Sequence, residues 1–223
     1  MIVVVLSHRK AAELAPFTVM SCDNMHVNGQ ITCNVICSFA RAVNTGLADW
    51  IVANVTFLSS MVGRIVPAVT ADTLDKIEQI TGIYDPAGVA CEAFRQWVIE
   101  DNFVAGRPQR EKDGAEMVAD VVPFEEMKLR MLKGSHSFLA YLEYIAGYQY
   151  INHFMEDDIY RRAAYMLMLT EQALTLKVKN VDLMRYADLL IVKWSTKTGR
   201  RLRFSSIGFP IRLVVTHHCI HAV

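Results

Sequence analysis

Apolar residues fall along this chain in two rhythms, with a change near residue 122. The run Met1-Ile2-Val3-Val4-Val5-Leu6 leads into Ser7-His8-Arg9-Lys10. A basic pair suits the negative end of a helix dipole, so residues 1–12 read as the end of a helix that Pro16 stops. Phe17 to Cys22 has strand composition and runs into the turn formers Asp23-Asn24. Asn24 therefore falls at the C-terminal end of a strand, the edge where open parallel sheets bind ligands. From Asn28-Gly29 onward, Ile31, Val35, Phe39, Val43 and Leu47 recur at about helical period, and Trp50-Ile51 continue the series. Met61 to Val66 is a short extended piece closed by Pro67. Thr70 is a predicted N-cap, with Asp72 in the first turn, a stripe of Leu74, Ile77 and Ile80, and Gly82 as the stop.

After Asp85-Pro86 the apolar and charged residues of 89–103 alternate unevenly, which predicts short strands, and 105–114 reads as polar loop. From Pro123 the period becomes helical. Pro123 suits a first helical turn, and Glu125 and Glu126 suit the positive end of the dipole. Three helices are predicted, near 124–147, 157–172 and 181–195. The pattern is mixed α/β before residue 122 and mainly α-helical after it.

Composition narrows the function classes. The chain has 223 residues, 52% of them hydrophobic and 21% charged, enough apolar surface for a real core. Formal net charge is zero, so no global field favours nucleic acid or an anionic membrane. No apolar run approaches the roughly 18 residues that span a bilayer. The charged residues follow the first apolar run, the wrong order for a secretory signal, and a cytoplasmic location is expected. Five cysteines without framework spacing fit that expectation. Cys33 and Cys37 would share a helix face and read as packing residues rather than half a metal site. No metal is expected.

Two segments offer chemistry. In Lys128-Leu129-Arg130-Met131-Leu132-Lys133-Gly134-Ser135-His136-Ser137, lysine and histidine are both capable proton-transfer groups. A half-buried lysine loses stabilisation of its charged form, so its pKa falls toward a useful value. Lys128 and His136 are eight residues apart, about 12 Å of helix rise. They can share a site if the lysine stem reaches forward or the helix distorts at Lys133-Gly134; otherwise they are a surface lysine and a packed histidine. In Ser21-Cys22-Asp23-Asn24, the Asn24 amide can donate to a developing alkoxide, or can bond its own backbone in a turn.

Longer motifs add to this. Phe17 to Asn24, Phe94-Arg95-Gln96-Trp97-Val98-Ile99-Glu100-Asp101-Asn102-Phe103, Met127 to Leu132 and Gly134 to Leu142 together resemble motifs of the mannitol dehydrogenase family, which includes fructuronate reductases (mannonate oxidoreductases). The resemblance runs from about residue 9 to about 194. It implies an α/β remnant of a Rossmann-like domain over 1–122, the start of a helical substrate domain over 123–195, and an off-pattern tail over 196–223. It also implies hydride transfer between NAD(H) and a small sugar acid or polyol. D-mannonate/D-fructuronate is favoured by the Arg95-Gln96-Trp97 segment, and D-mannitol/D-fructose comes next. By matched position, Lys128 is the implied general base, His136 orients substrate, Asn24 holds the reacting oxygen and Glu125 passes protons. Lys133 and Arg64 are implied at the substrate.

The chain also departs from the family pattern. Lys133 stands where the motif has asparagine, and Gly63 where it has aspartate. The Gly-x-Gly turn that lets a backbone approach a pyrophosphate is absent in every register, since no two glycines are separated by one residue. The expectation is a chain that holds NAD poorly, with cofactor-binding residues unassigned, impaired or absent activity, and an apolar face left uncovered. In the tail, Lys197, Arg200, Arg201 and Arg203 suggest a phosphate contact, and His217, His218, Cys219 and His221 a zinc site. Both are weaker readings than a terminus outside the family pattern, so no nucleic-acid partner is expected.

Overall fold

A computed structural model describes residues 1–64, 66–148 and 151–195. The tail motifs at 197–203 and 217–221 lie outside the described residues. Contacts divide the chain into two units, Met1–Val122 and Pro123–Val223.

The first unit opens with helix α1 (Ile2–Ala11), which buries Val3 and Leu6 and carries His8, Arg9 and Lys10 in its last turn. Arg9 Nε donates to the Ala15 carbonyl at 2.6 Å and Lys10 Nζ to the Gly46 carbonyl at 2.6 Å, so the basic pair satisfies backbone acceptors beyond the helix. The predicted strand over 17–22 contracts to β1 (Val19–Met20), paired in parallel with β2 (Phe57–Leu58). The long helical segment after Asn28 is two helices, α2 (Asn28–Val43) and α3 (Thr45–Asn54). Asn44 breaks it: its backbone is extended, and its side chain accepts from the Leu47 amide at 2.9 Å, an N-cap that starts α3 afresh.

The buried face of α2 corrects the periodicity. Val35, Phe39 and Val43 are 63%, 59% and 65% exposed, whereas Ile36 and Ala40 enter the core. That core joins Ile36 and Ala40 to Leu47, Ala48, Ile51 and Val55, with Val3, Leu6 and Val19 from the preceding elements. Both faces of α2 are apolar, and helical spacing cannot choose between them.

A second sheet has the order β3-β4-β5, formed by β3 (Ser60–Val62), β4 (Trp97–Glu100) and β5 (Ala115–Val118). β3 and β4 are antiparallel and β4 and β5 parallel, so this sheet is mixed. β5 follows the residues read as loop, entered through a 3-10 turn at Arg110–Asp113 and Gly114 at φ 90°. Helix α4 (Ala71–Thr81) ends at Gly82 with φ 73°, as predicted. Thr70 holds the N-cap position, but its hydroxyl bonds the Thr73 hydroxyl at 2.9 Å.

The second unit contains helices and no strand among its described residues. α5 (Val122–Met127) passes into a π turn, Lys128–Gly134, and then into α6 (Ser135–Ala146). α7 (Ile151–Phe154) is short. α8 (Asp158–Met166), capped by Asp157 accepting from the Ile159 amide at 2.8 Å, runs into a second π turn, Leu167–Gln172. α9 (Leu183–Ser195) packs on α7, α8 and that second π turn. Met127, Met131, Leu139, Phe154, Met168, Leu190 and Trp194 are buried in this unit. No helix among the described residues is long and apolar enough to cross a membrane.

One close approach fixes how α2 meets the strands of the first unit. A Cβ on Gly29 would stand 2.5 Å from the Ser59 amide nitrogen and 2.6 Å from the Leu58 carbonyl carbon, both of them backbone. Next to it, buried Asn28 donates to the Asp23 and Ser60 carbonyls at 2.7 and 2.8 Å and accepts from the Ser60 amide at 3.1 Å. Gly29→Ala should therefore cost about 2–4 kcal/mol, because backbone must move to admit the methyl. Urea denaturation measures this, and an unchanged midpoint would contradict the packing.

Candidate active site

The residues with candidate proton chemistry in the second unit ride on one continuous run from α5 through the π turn into α6. Glu125 is on α5, Lys128 opens the π turn, Lys133 lies near its end, and His136 is on the first turn of α6. In an unbroken α-helix, eight residues turn through about 800°, which leaves His136 roughly 80° around the axis from Lys128. A π turn pairs each residue with the fifth along and so absorbs one extra residue. Removing one residue's rotation, about 100°, brings the two side chains to within about 20° of a common face. The distortion that the spacing requires is present, and it begins at Lys128 itself.

The electrostatics follow from this crowding. Burial, with the neighbouring charges of Lys133 and Lys193, pushes the Lys128 amine down to about 8, against the opposing pull of Glu125. Burial pushes His136 down to about 4, with Lys193 adding in the same direction. His136 is thus neutral at physiological pH, and its Nε2 is buried without a hydrogen-bond partner among the described residues. A neutral imidazole can donate or accept a hydrogen bond without itself carrying charge. Lys133, where the family motif has asparagine, is exposed.

Lys193 is the residue that sequence reasoning missed. It lies on α9, is buried, and acts on both Lys128 and His136. It follows the apolar run Leu189-Leu190-Ile191-Val192, where a lysine reads as the solvent face of a helix. Only the packing of α9 reveals otherwise.

Asn24 and Arg64 belong to the first unit. Asn24 is exposed, and its backbone N–H donates to Asp23 Oδ1 at 2.7 Å in a local turn. Buried Asn28 anchors that turn through Asp23. Arg64 Nε donates to the Glu92 carbonyl at 3.0 Å. A Cβ on Gly63 would stand 3.2 Å from Gln96 Cβ and 3.4 Å from Phe94 Cε1, so a side chain here requires Gln96 to shift by a few tenths of an ångström.

No Gly-x-Gly turn of the kind that lets a backbone approach a dinucleotide pyrophosphate occurs in the sequence. Cys33 and Cys37 lie with their sulfurs 3.9 Å apart on α2, and burial pushes the Cys37 thiol up to about 11. No group of three or more His, Cys, Asp or Glu among the described residues is placed to hold a metal ion.

Comparison with known proteins decides the family. The mannitol dehydrogenase Rossmann domain matches residues 1–112 and the mannitol dehydrogenase C-terminal domain matches residues 120–198. The chain belongs to the mannitol dehydrogenase family. A Rossmann-type domain followed by a helical C-terminal domain is its architecture. It is 68% identical over 199 residues to the oxidoreductase YdfI of Escherichia coli (strain K12), covering 89% of this chain and 41% of that protein. It is 54% identical over 200 residues to the D-mannonate oxidoreductase of the same organism, again covering 89% and 41%. Mannitol 2-dehydrogenase of Aspergillus terreus is 41% identical, over 86% of this chain and 39% of that one. Among solved structures, substrate-free D-sorbitol dehydrogenase superposes with a TM-score of 0.84 at 36% identity, covering 89% and 41%. Mannitol 2-dehydrogenase of Pseudomonas fluorescens, in ternary complex with NAD and D-mannitol, gives 0.72 at 39% identity, covering 87% and 40%. The chain spans about two fifths of the length of these relatives.

This member of the mannitol dehydrogenase family also buries a carboxyl outside the lysine cluster. Burial raises Glu143, on α6, to about 7, and its Oε2 has no hydrogen-bond partner among the described residues. A carboxyl raised in the folded state holds its proton where the unfolded chain has lost it. Its contribution to stability is full below the unfolded value near 4.5 and falls as pH rises to about 7. Glu143→Gln should remove that fall and stabilise the protein by about 1–2 kcal/mol at pH 8, allowing for solvent screening. Thermal melts across pH 4–8 measure it; parallel pH curves for the two proteins would contradict it.

Proposed function

We propose that this chain carries the proton-transfer half of an NAD-dependent oxidoreductase site acting on a sugar acid or polyol. D-mannonate/D-fructuronate is the favoured pair and D-mannitol/D-fructose the next. The observation that carries the reading is Lys128, a lysine brought down to about 8 by burial among other cations. About a tenth of it is neutral at pH 7, and that fraction can accept the proton of a secondary alcohol at Nζ. In reverse, the charged amine returns the proton to the carbonyl oxygen. Glu125, close enough to oppose the shift of Lys128, is suited to relay that proton. His136, kept neutral, orients the substrate hydroxyl. Lys133 and Lys193 add positive charge that favours a carboxylate-bearing substrate, and the 54% identity to a D-mannonate oxidoreductase, against 41% to mannitol 2-dehydrogenases, supports the same choice. Asn24 and Arg64 are retained as first-unit contributors to the reacting oxygen and the substrate, on the strength of their motif positions.

The sequence holds no Gly-x-Gly turn, and this reading assigns the described residues the proton handling of the reaction. A second reading is a catalytically inactive remnant of such an enzyme; the departures at Gly63 and Lys133 from the family pattern support it.

Fructuronate reduction followed at 340 nm separates the two. The first reading expects turnover that Lys128→Ala lowers at least about 100-fold; unchanged turnover in that variant removes Lys128 from the base role, and a wild-type chain without turnover selects the second reading. The second reading expects no saturable binding in the micromolar range when NADH fluorescence is titrated against the chain, and micromolar saturation would overturn that reading.

A further inference from the structure

The π turn at Lys128–Gly134 is braced from the other π turn of the same unit. Leu167–Gln172 packs against it, and Gln172 is its last residue. Ser135, fully buried, donates from Oγ to Gln172 Oε1 at 2.8 Å. The other end of the same amide, Nε2, would stand 3.1 Å from a Cβ placed on Gly134. The absence of a side chain at 134 therefore makes the space that the amide fills. A second tie runs from the Arg130 guanidinium to the Thr175 carbonyl, three residues past Gln172. The first π turn is thus held in its middle and at its end by one segment of chain.

A π turn competes with the ordinary α pairing of the same residues, which is why it is rare and concentrated at functional sites. Released, Lys128–Gly134 would return to α pairing and rotate His136 about 100° relative to Lys128. The groups that act on Lys128, namely Lys133 and Lys193 with Glu125 opposing, would then be placed differently around it.

We propose that Gln172 is a positioning residue, whose amide, lodged over Gly134 and bonded to Ser135, holds the Lys128–Gly134 turn in π pairing and so keeps Lys128 and His136 on one face. The proposal rests on reading Lys128 as the proton acceptor, and it extends that reading to a residue outside the helix that carries the site.

The test follows the pH dependence of Lys128 acylation by a small neutral reagent, read site by site by peptide mass spectrometry. It needs no turnover: an inactive chain would sink the proposed function while leaving this result readable. The wild-type midpoint is expected at about 8. Gln172→Met keeps the length of the side chain and removes both polar ends. In a variant that still melts cooperatively, the Lys128 midpoint should rise by about one pH unit or more toward the ordinary lysine value. Gly134→Ala, which adds one methyl against Nε2 and improves helix propensity, should shift it the same way and decides the matter if Gln172→Met fails to fold. A purely structural role would lower the melting temperature and leave the midpoint where it was. A wild-type midpoint in either folded variant overturns the proposal.

Discussion

Seven backbone residues, Lys128 to Gly134, pair with the fifth residue along instead of the fourth, and the candidate site depends on that choice. The side chains alone do not bring Lys128 and His136 together, since their spacing belongs to two different faces of an α-helix. The π turn closes the difference. It also places the site between two stretches of regular helix, α5 and α6, whose buried Met127 and Leu139 anchor the turn on either side. A site built on rigid helix holds its geometry better than one on a loop.

Placing lysines together in a buried region costs stability. Lys128 is mostly charged below about 8 in the folded protein, and its burial beside other cations opposes folding there. The unfolded chain binds more protons between about 8 and the ordinary lysine value, so that cost is relieved as pH rises through this window. Retaining such an arrangement makes physical sense where an amine must release and take protons near neutral pH. Lys193 contributes to that effect from α9, so the shift is a property of the helical unit rather than of the 128–136 segment by itself. The first unit contributes differently. Asn28 and Gly29 lock the start of α2 onto the Leu58–Ser60 backbone and so fix the turn that bears Asn24.

Much of this was legible in the residues. Pro123 with Glu125 and Glu126 announces the start of the helical unit, and a 3.6-residue period carries it through to α9. Gly82 announces the end of α4 for the same kind of local reason, a positive φ that glycine adopts freely. The motifs around Lys128 and His136 pointed to the family before any geometry was known. What was not legible depends on contacts distant in sequence. The buried face of α2 is chosen by the strands and helices it meets, and its apolar residues occur on both sides. Asn44 is a readable cap, but the apolar period continuing to Leu47 disguises the break. β5 is too short to declare itself by alternation. The burial of Lys193 is purely a matter of how α9 packs.

The π pairing was legible only as a contradiction: two residues with complementary chemistry at a spacing that an α-helix cannot reconcile. Through-hydrogen-bond scalar couplings in the isotope-labelled chain test it most directly. Fifth-residue pairing predicts a coupling from the Lys133 amide nitrogen to the Lys128 carbonyl carbon. A coupling from Lys133 to the Leu129 carbonyl instead would mean an ordinary α-helix, with Lys128 and His136 on different faces, and would contradict the account.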